Sequence, residues 1–310
     1  MGITEDTDIL TDHGWVNISH LTKDNQVATL NPLTKVLEFH KPLILFNYTN
    51  ISPMYNIVNE NVDVCMTLSH PLYASPDNIS WVLTNGSYLM NQESQINLTS
   101  AFINKAATVV SYTFTGSTVS LSMNKWLQFL GLYLRFGSVC NDQKRLISVN
   151  YVSVNSLSYI ITNINKELTN GLQFKLVSHK IVNGVPVSII KLPDYVFADL
   201  ADVVPSWCYR LGSAQLNILQ VNGLVPDNKL PNGHYSSPNK ALIDCLQVIY
   251  LLTNKPQIIK QAQDGSYYLV SQTQLTNSGQ FVSNLVGYVY ELSVPNFVFM
   301  ARRHNKPILL

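Results

Sequence analysis

The sequence predicts a mainly β protein that is interrupted by a mixed α+β segment. Three observations support this prediction. Residues 8–118 contain short runs rich in Val, Ile, Thr and Tyr between turn residues, residues 120–260 show helical spacing, and strand-like runs return from about residue 262. We therefore assign residues 1–118 and 263–310 to one β domain, and residues 119–262 to a domain inserted into it.

The predicted strands are short and end at residues that favour turns. In order along the chain, they include Gln26–Leu30, Val36–Phe39, Met54–Val58, Tyr267–Val270, Phe281–Val282 and Val286–Val294. The first of them is followed by Asn31-Pro32, and the third by Asn59-Glu60-Asn61.

Three segments of the insert are predicted to be helical. Trp126–Leu134 has apolar residues on most faces, which is typical of a buried helix. Asn155–Leu168 and Lys240–Leu252 carry apolar residues at helical spacing.

Composition excludes several classes of protein. The net charge of +1 gives no long-range attraction to nucleic acid or membranes, and only 13% of residues are charged. No apolar run reaches the roughly 20 residues of a membrane span, and the acidic N-terminus is unlike a secretory signal. The four cysteines, scattered without a Cys-x-x-Cys pair, argue against a metal site or a disulfide scaffold. We expect an intracellular, reducing location, in the cytoplasm or nucleus.

The opening segment carries the first recognisable motif. Residues 2–15, Gly-Ile-Thr-Glu-Asp-Thr-Asp-Ile-Leu-Thr-Asp-His-Gly-Trp, resemble the start of an intein, a self-splicing protein element. Inteins begin with Cys or, less often, Ser, whereas Gly2 stands at this position here. The resemblance implies that Gly2 marks a lost nucleophile. The alternative, an N-myristoylation signal, requires Ser or Thr at the sixth position, which is Asp6.

A second motif follows about 60 residues later. Thr67 and His70 end a predicted strand just before Pro71, and resemble the Thr-x-x-His motif of inteins and hedgehog-type autoprocessing domains. The resemblance implies that His70 donates a proton to the nitrogen of the scissile amide. It also implies that Thr67, with backbone N–H groups, stabilises the oxyanion. The alternative is that both residues only fill a strand and a turn.

The third motif closes the chain. Residues 289–310 resemble the C-terminal intein hairpin, with Glu291 at a position that is Asp or Cys in the family. Residues 295–297, Pro-Asn-Phe, lie where the hairpin has its His. His304 and Asn305 resemble the terminal His-Asn of an intein, but they fall where the family has a turn. The final Asn and the nucleophile after it are missing, so we expect an engineered or trimmed form of the protein.

The inserted domain resembles a LAGLIDADG homing endonuclease. Residues 127–138 are similar to the first helix of that family, and residues 205–228 to the second. Each family helix ends in a carboxylate that binds Mg²⁺ for phosphodiester hydrolysis. Here those positions are Phe136 and Asn228, and the neighbouring Asp227 could take the role only if the helix is shortened. Because Phe cannot bind Mg²⁺, we expect an inactive nuclease, with Mg²⁺ relevant only if it cleaved DNA.

Together, these resemblances imply a horseshoe-like, all-β Hint splicing domain interrupted by a degenerate LAGLIDADG-type domain. The implied reactions are an N-to-S acyl shift, transthioesterification and Asn cyclisation. They need no cofactor, and the partners are flanking host-protein segments (exteins) in cis. We expect a monomer, and the hairpin is similar to inteins of large DNA viruses, which would place the protein in a viral factory or nucleus.

Two other functions remain open. One is a DNA-binding module derived from a homing endonuclease, for which residues 121–250 offer 11 Lys/Arg against 7 Asp/Glu. Weak DNA binding would be its signature. The other is a cleavage-only autoprocessing domain.

Overall fold

The chain forms a mostly β structure with a few helices. The computed structural model describes residues 1–77, 79–90, 97–168, 173–200, 203–224, 236–273, 275, 280–282 and 287–310. Two compact units are present, the first built from Met1–Lys105 and Ser236–Leu310, and the second from Ala106–Tyr235.

The strands, numbered along the chain, are β1 (Ile3–Thr4), β2 (Thr7–Thr11), β3 (Gly14–Asn17), β4 (Val27–Leu30), β5 (Leu37–His40), β6 (Ile44–Asn50), β7 (Met54–Val58), β8 (Asp63–Thr67), β9 (Pro71–Ser75), β10 (Val82–Asn85), β11 (Asn97–Leu98), β12 (Ser111–Thr113), β13 (Ser120–Ser122), β14 (Gly137–Asn141), β15 (Leu146–Asn150), β16 (Lys175–Val182), β17 (Val185–Lys191), β18 (Ser236–Ser237), β19 (Gln257–Gln261), β20 (Tyr267–Ser271), β21 (Gln280–Val282), β22 (Gly287–Ser293), β23 (Met300–Arg303) and β24 (Lys306–Leu309).

The helices are α1 (Gly86–Met90), α2 (Met123–Phe136), α3 (Val154–Asn165), α4 (Asp194–Ala198), α5 (Ser213–Leu219) and α6 (Lys240–Leu252). The predicted strand Met54–Val58 and the predicted helix Lys240–Leu252 are confirmed with the same bounds. None of the helices in the described part of the chain is long and apolar enough to cross a membrane.

Besides the smaller sheets β10-β9-β11 and β18-β20-β19, the first unit contains two large sheets. One has the strand order β21-β7-β8-β1-β22-β6, and the other has the order β24-β23-β2-β4-β5 with β3 paired to β2. A hydrophobic cluster takes Ile3 and Met66 from the first sheet, Ile9 and Ile308 from the second, and Phe299 just before β23. All five residues of β8 are buried. This strand is paired with β7 on one side and β1 on the other, and the hydrophobic cluster packs against its apolar side chains.

The second unit packs a four-stranded antiparallel sheet, β14-β15-β17-β16, with helices. Trp126 and Phe129 of α2 are fully buried, and the Phe129 ring meets Phe174 edge-on at 4.8 Å between centroids. Helix α3 begins after Ser153, whose side chain accepts a hydrogen bond from the backbone N–H of Ser156 at 3.2 Å. This bond pairs one of the N–H groups that have no partner within the first turn of a helix.

The boundaries of the compact units differ from those predicted from the sequence. The sequence placed the junctions at 118/119 and 262/263, whereas the units divide at 105/106 and 235/236. Residues 236–262 therefore belong to the first unit. The physical reason is that α6 is bound to the C-terminal hairpin: Gln247 donates hydrogen bonds to the carbonyls of Gln257 at 2.9 Å and Asn305 at 2.8 Å.

Candidate functional site

Three adjacent strands of the first sheet bring distant parts of the chain together. β1 lies between β8 and β22, and Ile3 pairs with a residue of each. Gly2, just before β1, consequently lies beside Thr67 at the end of β8 and beside Glu291 in β22. His70 follows in the turn after β8, where its backbone N–H donates to the backbone carbonyl of Thr67 at 2.9 Å. Sheet pairing thus assembles four positions that were selected from separate motifs.

Thr67 holds the backbone of Gly2 from two sides. The Gly2 N–H donates to the Thr67 hydroxyl Oγ1 at 2.8 Å, and the Gly2 carbonyl accepts from the Thr67 N–H at 2.8 Å. The nitrogen in the first bond belongs to the Met1–Gly2 peptide. We expected the hydroxyl at the carbonyl oxygen of that peptide, and the contact in this structure is instead to its nitrogen. A role for Thr67 in stabilising an oxyanion stays a prediction.

His70 is a buried imidazole. Only 1% of its surface is exposed, and among the described residues neither ring nitrogen has a hydrogen-bond partner. The edge of its ring meets Phe299, with 6.1 Å between centroids. Burial, with a smaller contribution from the positive N-terminal amino group, lowers the pKa of His70 from 6.5 to about 3. His70 is therefore neutral at pH 7 and carries one N–H donor and one acceptor.

The low pKa of His70 makes stability depend on pH. Above about pH 6.5 the side chain is neutral in both the folded and unfolded states. Its protonation therefore does not make the free energy of unfolding depend on pH in that range. As the pH falls from 6.5 towards 3, the unfolded state binds a proton that the folded state excludes, and stability is lost. Between pH 7 and pH 5 the unchanged chain should lose about 2 kcal/mol more unfolding free energy than a His70→Gln chain.

Urea unfolding at the two pH values measures this difference, and His20→Gln, at an exposed histidine, is the matched control. Equal pH dependence of the unchanged and His70→Gln chains would contradict a buried, neutral imidazole.

Glu291 faces the first residue of the chain. Its Oε2 lies 3.2 Å from the Met1 amino group, and its side chain is 16% exposed. The Tyr48 hydroxyl lies 3.4 Å from the same nitrogen. Burial and then the charge of Glu291 raise the pKa of Tyr48. Tyr48 was missed in the sequence because only the pairing of β6 with β22, across more than 200 residues, brings it to the site.

The position of Gly2 leaves limited space for a side chain. A Cβ atom there would lie 3.1 Å from the Val289 Cβ and 3.3 Å from the Tyr290 carbonyl oxygen. The backbone of Gly2 is outside the left-handed region, so its conformation does not require glycine. A Cβ atom at position 2, the first atom of a Cys side chain, is therefore accommodated if its neighbours shift by a few tenths of an ångström.

The C-terminal hairpin ends close to His70. His304 and Asn305 form its two-residue turn, both with left-handed backbones (φ 46° and 67°), as expected for a tight hairpin. Leu310 exchanges two backbone hydrogen bonds with Phe299, at 2.8 and 2.9 Å. Since the Phe299 ring contacts His70, residues near both ends of the chain lie around one histidine.

Asn296 lies in the segment where the intein C-terminal hairpin was expected to have a His. Its amide donates to Glu38 Oε2 at 2.8 Å and to the Thr29 hydroxyl at 2.9 Å. His40 lies 2.8 Å from the same carboxylate oxygen. Hydrogen bonds from His40, and then from Asn296, lower the pKa of Glu38. Asn296 thus binds the hairpin to β4 and β5, and the adjacent Phe297 is exposed.

In the second unit, one of the three predicted nuclease positions can be located. Phe136 is the last residue of α2, and the Arg135 guanidinium lies 4.7 Å from the centre of its ring. Gly137 follows, where a Cβ atom would come within 2.7 Å of the Tyr133 carbonyl oxygen, so only glycine fits. Asp227 and Asn228 lie outside the described residues. Within the described ranges, no cluster of His, Cys, Asp and Glu could hold a metal ion.

Similarity to known proteins extends over much of the chain, although no family model matches it. The chain is 27% identical over 259 residues to the ATP-dependent Clp protease proteolytic subunit of Chlamydomonas moewusii, covering 74% of this chain and 25% of that protein. It is 23% identical over 173 residues to the DNA-directed RNA polymerase subunit beta C-terminal section of Stigeoclonium helveticum, covering 51% and 16%. The chain thus spans a quarter or less of the length of these curated relatives.

Solved structures with some similarity include an intein and a homing endonuclease. A splice-inactive variant of the AceL NrdHF class 3 split intein matches 28% of this chain and 55% of its own, at 15% identity and a TM-score of 0.26. The homing endonuclease I-WcaI, bound to its DNA recognition sequence, matches 49% of this chain and 77% of its own, at 10% identity and a TM-score of 0.33. At these TM-scores the structural similarity does not support a function for this chain. None of the similar proteins supports the expected viral origin.

Proposed function

We propose that the first unit is a protein-splicing domain of the intein type in which Gly2 occupies the nucleophile position. The observation that carries this proposal is the hydrogen bond from the Gly2 amide nitrogen to the Thr67 hydroxyl, in the strand and turn that also carry the buried His70. The first reaction of splicing acts on the peptide that contains this nitrogen. The flanking partners would be host-protein segments joined in cis.

The chemistry needs a nucleophile that Gly2 lacks. With Cys at position 2, the sulfur would attack the carbonyl carbon of residue 1, a C–S bond would form, and the C–N bond would break. The thiol proton would be transferred to the nitrogen, which leaves as an amine. His70 is suited to this transfer because its neutral ring can give a proton to nitrogen at one position and accept one at the other. Glu291, beside residue 1, would orient the chain or assist as a carboxylate.

The second unit is, in this proposal, an insert derived from a LAGLIDADG endonuclease that does not cleave DNA. Phe136 offers no oxygen ligand at the position where the family has a carboxylate, so no Mg²⁺-dependent step is assigned to it.

A reporter fusion tests the proposal. A folded reporter domain is joined upstream of Met1, and the chain carries Gly2→Cys. Excess small thiol should release the reporter as its thioester, because the thiol captures the acyl group that has moved from nitrogen to sulfur. Gel electrophoresis measures the release, and mass spectrometry of the reporter locates the cleavage after Met1.

Two fusions serve as controls, one with Gly2 unchanged and one with Gly2→Ala, which adds a side chain without a nucleophile. Neither should release the reporter. If the Gly2→Cys fusion is folded, as judged by circular dichroism, and releases no more reporter than the Gly2→Ala fusion, the proposal is wrong.

A further inference from the structure

A cavity of about 260 Å³ lies in the first unit, apart from the residues of the splicing site. The residues that line it include the aromatic Tyr73 and Trp81, the apolar Ile103 and the basic Lys35. Its size is near the lower end of pockets that bind small molecules. No acidic side chain is among the described residues that line it.

Two stacked rings form one wall of this cavity. Tyr73 in β9 and Trp81, just before β10, stack with 5.6 Å between centroids and 26° between planes. The antiparallel pairing of β9 with β10 places Tyr73 opposite Leu83 and brings Trp81, one residue before β10, beside the Tyr73 ring. Tyr73 is buried and Trp81 is half-buried, so the accessible part of this wall is flat and aromatic. Such a wall favours a planar ring as a neighbour, with offset stacking.

A positive charge lies at the edge of the stacked rings. The Lys35 ammonium donates a hydrogen bond to the Tyr73 hydroxyl and lies 5.0 Å from the centre of the Tyr73 ring. Within the described residues, no carboxylate lies at ion-pair distance from it. An ammonium has three donors, and among the described residues the partly desolvated charge of Lys35 has the Tyr73 hydroxyl as its side-chain partner. It therefore remains available for an anionic group.

The backbone fixes the position of Lys35. Lys35 adopts a left-handed conformation (φ 59°), which is uncommon for a residue other than glycine. Its N–H donates to the Asn31 carbonyl at 2.8 Å, and its carbonyl accepts from Ile103, another lining residue, at 2.7 Å. Asn254, also at the cavity, is left-handed too (φ 58°). The backbone of Lys35 is thus held beside Ile103 and its ammonium is held by the Tyr73 hydroxyl before any ligand enters, which lowers the cost of ordering the site on binding.

We propose that this cavity binds a small planar aromatic carboxylate, with its ring against Trp81 and its carboxylate on Lys35. The aromatic wall selects a flat ring, and the single cation in a lining without acidic groups selects a negative charge. This binding is independent of the splicing chemistry, because it involves none of Gly2, Thr67, His70 and Glu291.

Isothermal titration calorimetry on the chain with Gly2 unchanged tests the proposal, with naphthoate as the probe. Two related molecules separate the contributions: naphthylmethylamine keeps the ring and reverses the charge, and cyclohexanecarboxylate keeps the charge and removes the aromatic ring. Naphthoate should bind saturably, and each of the other two should bind at least about tenfold more weakly, which corresponds to 1.4 kcal/mol.

The variants Lys35→Gln and Trp81→Leu should each weaken naphthoate binding by about tenfold or more. Lys41→Gln is the matched control, since Lys41 is an exposed lysine of the same unit that pairs with Asp24, and should leave binding unchanged. Thermal unfolding verifies that each variant is folded, and Lys35→Met adds a second test at the charged position. The proposal is overturned if naphthoate does not bind, if the amine binds equally well, or if folded Lys35→Gln and Lys35→Met chains bind as tightly as the unchanged chain.

Discussion

In the Gly2→Cys reporter fusion, His70→Ala should slow thiol-induced release of the reporter by about 10²–10⁴-fold. The nitrogen of the Met1–Gly2 peptide is a poor leaving group unless it gains a proton. His70 lies in the turn that follows Thr67, whose hydroxyl contacts that nitrogen. In the described part of the chain, both ring nitrogens of His70 lack a protein partner. A buried imidazole with no structural hydrogen bond is free to exchange protons with a reacting group.

The two causes of the low pKa of His70 add a further expectation for the fusion. Burial is the larger cause, and the positive charge of the Met1 amino group is the smaller. A fusion replaces that amino group with an uncharged peptide, so the pKa of His70 should rise towards its ordinary value. The pH dependence of reporter release measures this effect. If His70 had a purely structural role, His70→Ala would slow release without removing its pH dependence.

Three further variants make the His70 result interpretable. His70→Gln keeps a polar side chain of similar length and guards against the cavity that Ala would leave. Thr67→Val replaces the hydroxyl that contacts the Gly2 nitrogen with a methyl group of similar size and should also slow release. His20→Ala changes an exposed histidine and should have no effect. Equal release rates for folded His70→Ala, His70→Gln and unchanged fusions would exclude His70 as the proton donor.

The local elements of this fold were largely predictable. Lys240–Leu252 and Met54–Val58 were predicted with the bounds that the structure shows, because apolar spacing and turn residues define helices and strands within a short window. Residues 155–168 were predicted to be helical, whereas α3 ends at Asn165. The end of a helix depends on its capping contacts, which periodicity does not contain.

The assignment of α6 could not be predicted by the same means. Its apolar face indicates a helix but does not indicate which unit it packs against. That choice depends on Asp244 and Gln247 of α6, which bind Arg302, a residue more than 50 positions away. Such contacts arise from tertiary packing, so the sequence-based boundary at 262/263 included α6 in the insert.

In the candidate site, too, local motifs identify residues, whereas contacts that depend on strand pairing could not be predicted. Gly2, Thr67 and His70 were selected because their motifs are local, and Glu291 because of its place in the closing motif. The position of Tyr48 beside Met1 was not predictable, because it depends on the pairing of β6 with β22. The contact from Thr67 to the Gly2 nitrogen was not predictable either, because it depends on the register between β1 and β8.

Arg302 should be the most important single charge for the stability of the first unit. Only 4% of its surface is exposed. Its guanidinium donates to Asp8 at 3.0 Å, to Asp244 at 2.6 Å and to Gln247 at 2.8 Å, and lies 4.6 Å from the centre of the Trp15 ring. One side chain thereby connects β2, β3, α6 and the C-terminal hairpin. We expect Arg302→Met to lower the free energy of unfolding by about 2–3 kcal/mol.

That magnitude follows from what the substitution leaves behind. Removing one partner of a fully buried ion pair costs about 3–5 kcal/mol, because the remaining charge is unpaired. Here Asp8 and Asp244 keep some access to water, at 31% and 25% exposure. The Lys240 ammonium, 2.9 Å from Asp244, compensates part of the loss. The cost should therefore fall below the fully buried range and above the roughly 0–1 kcal/mol of an exposed ion pair.

Urea unfolding of the Arg302→Met chain measures this cost, with Lys41→Met as the control. Lys41 pairs with Asp24 at 3.1 Å, but both side chains are largely exposed, so its loss should cost less than about 0.5 kcal/mol. A double-mutant cycle with Asp244→Asn then separates the contact to α6 from the other contacts of Arg302. If Arg302 binds α6 to the hairpin, the two changes together should cost less than their sum. If the changes add, or if Arg302→Met costs no more than Lys41→Met, Arg302 does not couple α6 to the strand pair that ends beside His70.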